Sequence, residues 1–221
     1  MLNVSRPGSV SSLFLCLIFT CLAARTARAQ AAPVVTPLER QLSRLDLGVA
    51  AVGQITGDVT GTNYLNQPLT QKASTTVGVL VSLRYTKSPF MGFEANYSQA
   101  RYTENYSSYI FGGAQTKASE YSLGYVAHLP SLLGLQPFAA AGAGAIAFRP
   151  TAGGGQGLPA QARMTYYYNI GVDDTLLSKH FGVRASLRQA FFKAPDFGQN
   201  YLTINQHTST LEPTIGFYIK F

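Results

Sequence analysis

Between Thr208 and Phe221 the chain alternates with a period of two. Leu211, Pro213, Ile215, Phe217, Ile219 and Phe221 share one parity, and Thr210, Glu212, Thr214, Gly216, Tyr218 and Lys220 the other. Successive strand side chains point to opposite faces, so this stretch is a strand with one apolar and one polar face. The same period recurs over Leu45 to Ile55, Thr75 to Thr86, Gly92 to Tyr102, Ala118 to Leu129, Pro137 to Phe148, Arg163 to Asp174 and Phe181 to Phe191. The pattern predicts an all-β chain of eight strands.

The connections alternate in length. Gly57 to Ser74, Thr103 to Lys117, Pro150 to Gln161 and Lys193 to Gln206 are long and polar; Lys87 to Met91, Pro130 to Gln136 and Thr175 to Lys179 are short. An even strand number with short turns at one end and long loops at the other predicts an eight-stranded antiparallel up-and-down transmembrane β-barrel, its short turns in the periplasm. A soluble eight-stranded barrel would turn its apolar face inward and has no reason to segregate its loops. The charged fraction is 12%, well under the roughly one quarter usual for soluble domains. In the mature chain no apolar run is long enough for a membrane helix.

Met1 to Ala29 reads as a secretory signal peptide, with Arg6 near its start, an apolar stretch from about Leu13 to Ala24, and Ala27-Arg28-Ala29 as the cleavage site. Acylation at Cys21 is the weaker reading, because Thr20 stands where a small residue is needed. Residues 30–44 are expected to form a short periplasmic segment with a helical turn over Leu38 to Leu42, and residues 45–221 the barrel. Cleavage removes Cys16 and Cys21, which excludes disulfide and thiol chemistry. It also removes Arg6, Arg25 and Arg28, leaving 14 basic residues (17 minus 3) against 10 acidic, a formal charge of +4. The remaining basic residues are scattered, so nucleic acid is not an expected partner.

Outward parity assigns Tyr85, Phe93, Phe138, Phe181 and Phe221 to one interfacial aromatic girdle and Tyr121, Phe148, Tyr166 and Phe191 to the other. The fifth strand, an Ala-Gly-Ala-Gly-Ala core, has little facial contrast; the shared parity of Phe138, Ile146 and Phe148 points them toward lipid. Inward parity gathers Arg84, Glu94, Glu120, Arg184, Arg188 and Glu212 inside a barrel narrow enough to fill with side chains. Charges there must be paired. Arg84 and Glu94 lie symmetrically about Pro89, which makes them cross-strand partners in a simple hairpin. The network admits two readings: a static plug, or a gate in which Arg188 re-pairs between Glu120 and Glu212 to open a narrow, porin-like path.

The whole mature chain resembles the small eight-stranded barrels of the OmpA-like outer-membrane family, and its closing Gly216-Phe217-Tyr218-Ile219-Lys220-Phe221 is the most specific piece. The resemblance implies an integral outer-membrane protein in contact with outer-membrane lipids and delivered by periplasmic chaperones and the barrel-assembly machinery. It further implies that Phe217, Ile219 and Phe221 belong to the assembly signal. Family members with a separate peptidoglycan-binding domain carry it after the barrel, and nothing follows Phe221 here, so wall tethering is not expected. The expected state is a monomer with a structural or surface-contact role, in which Tyr64, Tyr106, Tyr109, Phe111 and Tyr201 of the long loops meet a surface ligand.

No cofactor or metal site is expected, because His128, His180 and His207 are scattered along the chain. His207-Thr208-Ser209 resembles the His-x-Ser of barrel-type lipid A deacylases, an envelope-lipid-modifying alternative, but Glu212 nearby has the wrong parity and the flanking residues do not match. No catalytic residue is therefore assigned and an enzyme is not expected. Gly153 to Gly157 lacks the Lys-Ser/Thr and helix of a phosphate-binding loop. Lys193-Ala194-Pro195-Asp196-Phe197 resembles a segment of small bacterial barrel proteins and reads as a turn leaving a strand.

Overall fold

A computed structural model describes residues 36–63, 65–107, 113–174, 178, 180–199 and 206–221. The expected signal peptide, Met1 to Ala29, lies outside the described residues. One helical turn, α1 (Pro37–Leu42), precedes ten strands. These are β1 (Leu45–Thr56), β2 (Val59–Thr62), β3 (Pro68–Ala73), β4 (Thr76–Ser88), β5 (Met91–Tyr106), β6 (Gly113–His128), β7 (Leu135–Pro150), β8 (Gln161–Asp174), β9 (Phe181–Lys193) and β10 (His207–Lys220).

Eight of the ten close a barrel. The ladder runs β5-β4-β1-β10-β9-β8-β7-β6, and β6 pairs again with β5. Every neighbouring pair is antiparallel, and the first and last strands meet along a seam from Asp46↔Lys220 to Thr56↔Thr210. The remaining strands, β2 and β3, form a hairpin attached to the upper end of β5 through Gln71↔Tyr106 and Ala73↔Glu104. Gly57 to Ser74, expected as a loop, is thus largely paired. β5 and β6 also run on into their connection as far as Asn105↔Gly113, so this rim stands well clear of the expected strand ends.

The outer wall is apolar. Val77, Leu123, Ile215, Met164 and Tyr121 are among the most exposed side chains, while their strand neighbours Gly78, Ser122, Thr214, Thr165 and Glu120 face inward. No helix among the described residues is long and apolar enough to cross a membrane. The outward face turns polar at Gln99 and Arg101 on β5, Lys117 on β6 and Arg149 on β7, which marks the upper limit of the belt. Tyr121, Tyr166, Phe93, Phe181, Phe191 and Phe221 are exposed near its edges, as expected of girdle residues, and Tyr85 is half-buried.

β7 takes the opposite phase from the expected one. Phe138, Ile146 and Phe148 are buried inside, at 2%, 5% and 0% exposure, and Ala139, Ala141, Ala143 and Ala145 face out. Packing inside the barrel decides this. Tyr167 of β8 projects across the lumen, and a Cβ on Gly142 would lie 2.7 Å from its ring, so the middle of the inward face has to be glycine. The two ends of that face are free to carry large residues. Phe138 packs near the lower charges and the Phe148 ring lies tilted against that of Phe192, 5.5 Å between centroids.

The mature chain is expected to lack cysteine, so single spin labels report this phase directly. A label at Ala143→Cys in vesicles should collide freely with dissolved oxygen from the hydrocarbon, and one at Ala140→Cys should not; equal collision rates would contradict the phase described.

Candidate functional site in the barrel interior

The inward face is stacked in three layers. At the lower end, Arg84 of β4 donates to Glu94 of β5 at 2.8 Å and reaches across the lumen to Asp173 of β8 at 3.5 Å. Its register partners are Glu94 on one side and Asp46 on the other. Arg184 of β9 donates to Asp173 at 2.7 Å and to Asp46 at 3.2 Å. Both guanidinium groups lie over aromatic rings, Arg84 at 4.3 Å from the Phe138 centroid and Arg184 at 4.8 Å from that of Tyr218. Rings hold a buried cation by their quadrupole without presenting a competing charge.

The middle layer is centred on Arg188 of β9. It donates to Glu120 on β6, across the lumen, and to Glu212 on the neighbouring β10. The Tyr167 ring lies 4.3 Å beneath it. Neutral donors complete the layer: Gln54 Nε2 to Glu212 at 3.2 Å, and the Tyr167 hydroxyl to Glu94 at 2.9 Å. The cavity remaining between the two lower layers is about 20 Å³, room for one water molecule. A more open polar recess of about 170 Å³ lies at the lower mouth, beside Asp46, His128 and Asp173.

The third layer, near the upper mouth, is apolar. Tyr102, Ala118, Ile146, Phe148, Phe192 and Phe197 form one buried cluster, and Val59, Leu69, Tyr106, Ala114 and Ala194 the next above it. The segment after β9 therefore does more than leave a strand: Ala194, Pro195 and Phe197 fold into the mouth, and Pro195 O accepts from Gln71 Nε2 at 3.2 Å. Asp196 anchors it outside, accepting from Arg163 at 2.9 Å and from Gln161 at 2.7 Å. One carboxyl is buried in this plug, Glu104 of β5, which accepts from Gln71 Nε2 at 3.0 Å. It lies beyond the outward-facing Arg101, above the apolar belt. Burial pushes its pKa up to about 7, against a smaller downward pull from the Gln71 hydrogen bond.

The structure brings Arg84 against Glu94, and Arg188 against both Glu120 and Glu212, and it separates Arg184 from these pairs to meet two acids not assigned from sequence. Asp46 and Asp173 have inward parity in β1 and β8 and stand in register with Arg84 and Arg184 respectively. Parity plus register was the signal that would have found them. Phe217, Ile219 and Phe221 face outward on and just after β10. Tyr106, expected at the surface, is buried in the plug; Tyr64, Tyr109, Phe111 and Tyr201 lie outside the described residues. Ser209 Oγ accepts from Gln189 at 3.3 Å, and among the described residues no hydrogen bond joins it to His207. Among those residues no cluster of His, Cys, Asp and Glu has metal-binding geometry.

No protein-family model matches the chain, and no curated protein matches it. Solved structures do. The outer-membrane protein OprG from Pseudomonas aeruginosa superposes with a TM-score of 0.61 at 13% identity, covering 80% of this chain and 95% of that one. Neisserial surface protein A, NspA, superposes with a TM-score of 0.55, also at 13% identity, covering 80% and 97%. At this identity the likeness is one of fold: the chain has the fold of the small eight-stranded outer-membrane barrels, as the OmpA-like resemblance implied.

Two outcomes follow from the interior. Arg188→Met strands Glu120 and Glu212 without their counter-ion and should cost about 3–5 kcal/mol of stability in urea unfolding from vesicles; converting both acids to Gln as well should restore much of it. At the plug, a raised acid pKa means the folded state holds its proton longer than the unfolded one. Stability from Glu104 is therefore full below about pH 4.5 and is lost as pH rises to about 7. Glu104→Gln should flatten that slope.

Proposed function

We propose that this chain is an integral outer-membrane protein whose barrel is a sealed scaffold, serving a structural or surface-contact role through the rim and long connections at its upper end. The observation that carries the reading is the filled lumen: a cavity of about 20 Å³ between two charged layers, under an apolar plug, inside a wall whose exterior is apolar. An apolar exterior of this extent has no aqueous partner, and hydrocarbon is the medium that suits it. One neighbour in fold, NspA, is itself a surface protein.

The gate is disfavoured by the same geometry. A switch needs two positions, and Arg188 already contacts Glu120 and Glu212 together, leaving no second partner to move to. Opening a path would also require the apolar plug above to leave the mouth. The interior network of Arg84, Glu94, Glu120, Arg184, Arg188 and Glu212 is thus read as a stabilising core.

In this reading residues 1–29 are removed near Ala29, residues 30–44 stay in the periplasm and residues 45–221 insert as a monomer. Chaperones and the assembly machinery would read the outward Phe217, Ile219 and Phe221. The lipid-modifying alternative has the weaker support, since Ser209 is engaged by Gln189.

Planar-bilayer recordings test the sealed lumen. The wild type and Glu212→Ala are both expected to show negligible conductance; steady unitary currents that change with Glu212→Ala would establish the pore instead. Heat-modifiable migration in outer-membrane fractions tests the location.

A further inference from the structure

Just above the apolar belt, three cations stand in one row across neighbouring strands of the outer wall. Arg101 of β5 is the register partner of Lys117 of β6, and Lys117 is the register partner of Arg149 of β7. All three have outward parity. Like charges directly opposite one another on a sheet face repel. An anion between them would relieve the repulsion, and the protein does not supply one. Of its 10 acidic residues, Asp46, Glu94, Glu120, Asp173 and Glu212 face the lumen and Glu104 is buried in the plug. Asp58 pairs with Lys72 and Asp196 with Arg163. Glu39 belongs to α1 and Asp174 ends β8 at the lower rim. Among the described residues none forms an ion pair with the row.

Further down the same wall, below Ser119 and Ala147, there is a hollow. β7 presents only Ala143 and Ala145 here, between the larger Tyr121 and Leu123 of β6 and Met164 of β8, with Ala95 of β5 at the far edge. The result is a groove of about 520 Å³ with almost wholly apolar walls. Ala145, at the near end of the groove, and Arg149 are four residues apart on one strand, about 13 Å along it at about 3.3 Å per residue. Cations at the polar boundary and an acyl-width trough below them are the two halves of an amphiphile's outline.

We propose that this face binds a phosphorylated, multiply acylated glycolipid of the outer leaflet, its phosphate held by Arg101, Lys117 and Arg149 and one acyl chain lying in the groove over Ala143 and Ala145. Charge complementarity selects the headgroup: a phosphomonoester carries close to two negative charges and three strong acceptor oxygens, and arginine meets such oxygens with paired donors. The position of the row selects a lipid over a soluble polyanion, because long basic side chains at the boundary can extend to the headgroup level while their stems stay against apolar surface. The inference rests on the membrane-spanning reading above.

The test uses the protein expressed as the full chain, extracted from membranes and placed in phosphatidylcholine nanodiscs containing diphosphoryl lipid A or its dephosphorylated form, with retained lipid counted by native mass spectrometry. Heat-modifiable migration checks the fold of each variant. The wild type should retain the diphosphoryl form selectively. Substituting R101Q, K117Q and R149Q together should weaken retention roughly a hundredfold, at about fivefold per cation. A145F, which fills the groove, should lower the preference for the acylated probe with the cations intact. If the triple variant does not fold, K117Q alone carries the test. Equal retention by wild type and variant, equal retention of the dephosphorylated lipid, or displacement by inorganic pyrophosphate at the same affinity as lipid would each overturn the proposal. A wild-type protein that fails to enter the discs would sink the membrane reading as well; one that enters and shows no phosphate selectivity sinks this inference alone.

Discussion

Hydrocarbon offers a peptide group no hydrogen-bond partner, and the seam between β1 and β10 is where this chain meets that constraint. With that ladder formed, each strand of the barrel has a neighbour on both sides and no edge faces lipid. Eight strands are the fewest the handful of natural solutions uses, and so small a circumference leaves an interior only as wide as its own side chains. The interior therefore has to be solved as a packing problem. The outer face can be greasy and loosely specified, whereas the inner face must fit.

The fit is made with ions, and their numbers do not match at first sight. Three guanidinium groups, on Arg84, Arg184 and Arg188, face five carboxylates, on Asp46, Glu94, Glu120, Asp173 and Glu212. The excess of two acids is absorbed by sharing and by neutral donors. Each arginine serves two carboxylates, Asn96, Tyr167 and Gln54 donate further hydrogen bonds, and His128 Nε2 lies 3.8 Å from Asp173. Each arginine also lies on a ring, so a face is covered while its edge is bonded. Buried ion pairs of this kind add little net stability over an apolar core. Their leverage is on register: a one-residue slip of β9 would turn Arg184 and Arg188 toward lipid together.

This explains what could be read from the residues alone. The strands, their facing and the placing of the six charges follow from binary contrast, because in most strands a charged side chain on the wrong face is prohibitive. Arg84 and Glu94 were even paired by their symmetry about Pro89. Contrast fails in β7, where the lipid side is alanine and the lumen side has glycine at its centre. Across the belt its large residues of one parity, Phe138, Ile146 and Phe148, are apolar and stand opposite alanine, so polarity there does not say that they face inward. Phe138 lies inside because Arg84 needs a ring, and Phe148 because Phe192 and Phe197 fill the mouth. Both reasons come from strands far away in the chain. Asp46 and Asp173 were within reach of parity but needed the register of β1 with β4 and of β8 with β9.

The plug shows a second limit of the alternation rule. Along β5 the side-chain phase never changes, yet the meaning of the two faces does. Below Gln99 the outward residues are Phe93, Ala95 and Tyr97 and the inward ones Glu94, Asn96 and Ser98; above it the outward residues are Arg101, Thr103 and Asn105 and the inward ones Ala100, Tyr102 and Tyr106, with Glu104 the one inward acid. The medium outside has changed from hydrocarbon to water, so the same strand becomes apolar within and polar without. That inversion has two consequences at one height. It builds a conventional apolar core, with the β2 and β3 hairpin and the segment after β9 packed into it, which closes the upper mouth. It also obliges the outer wall to carry charge at the point where the greasy belt ends, and on β5, β6 and β7 the charge is of one sign.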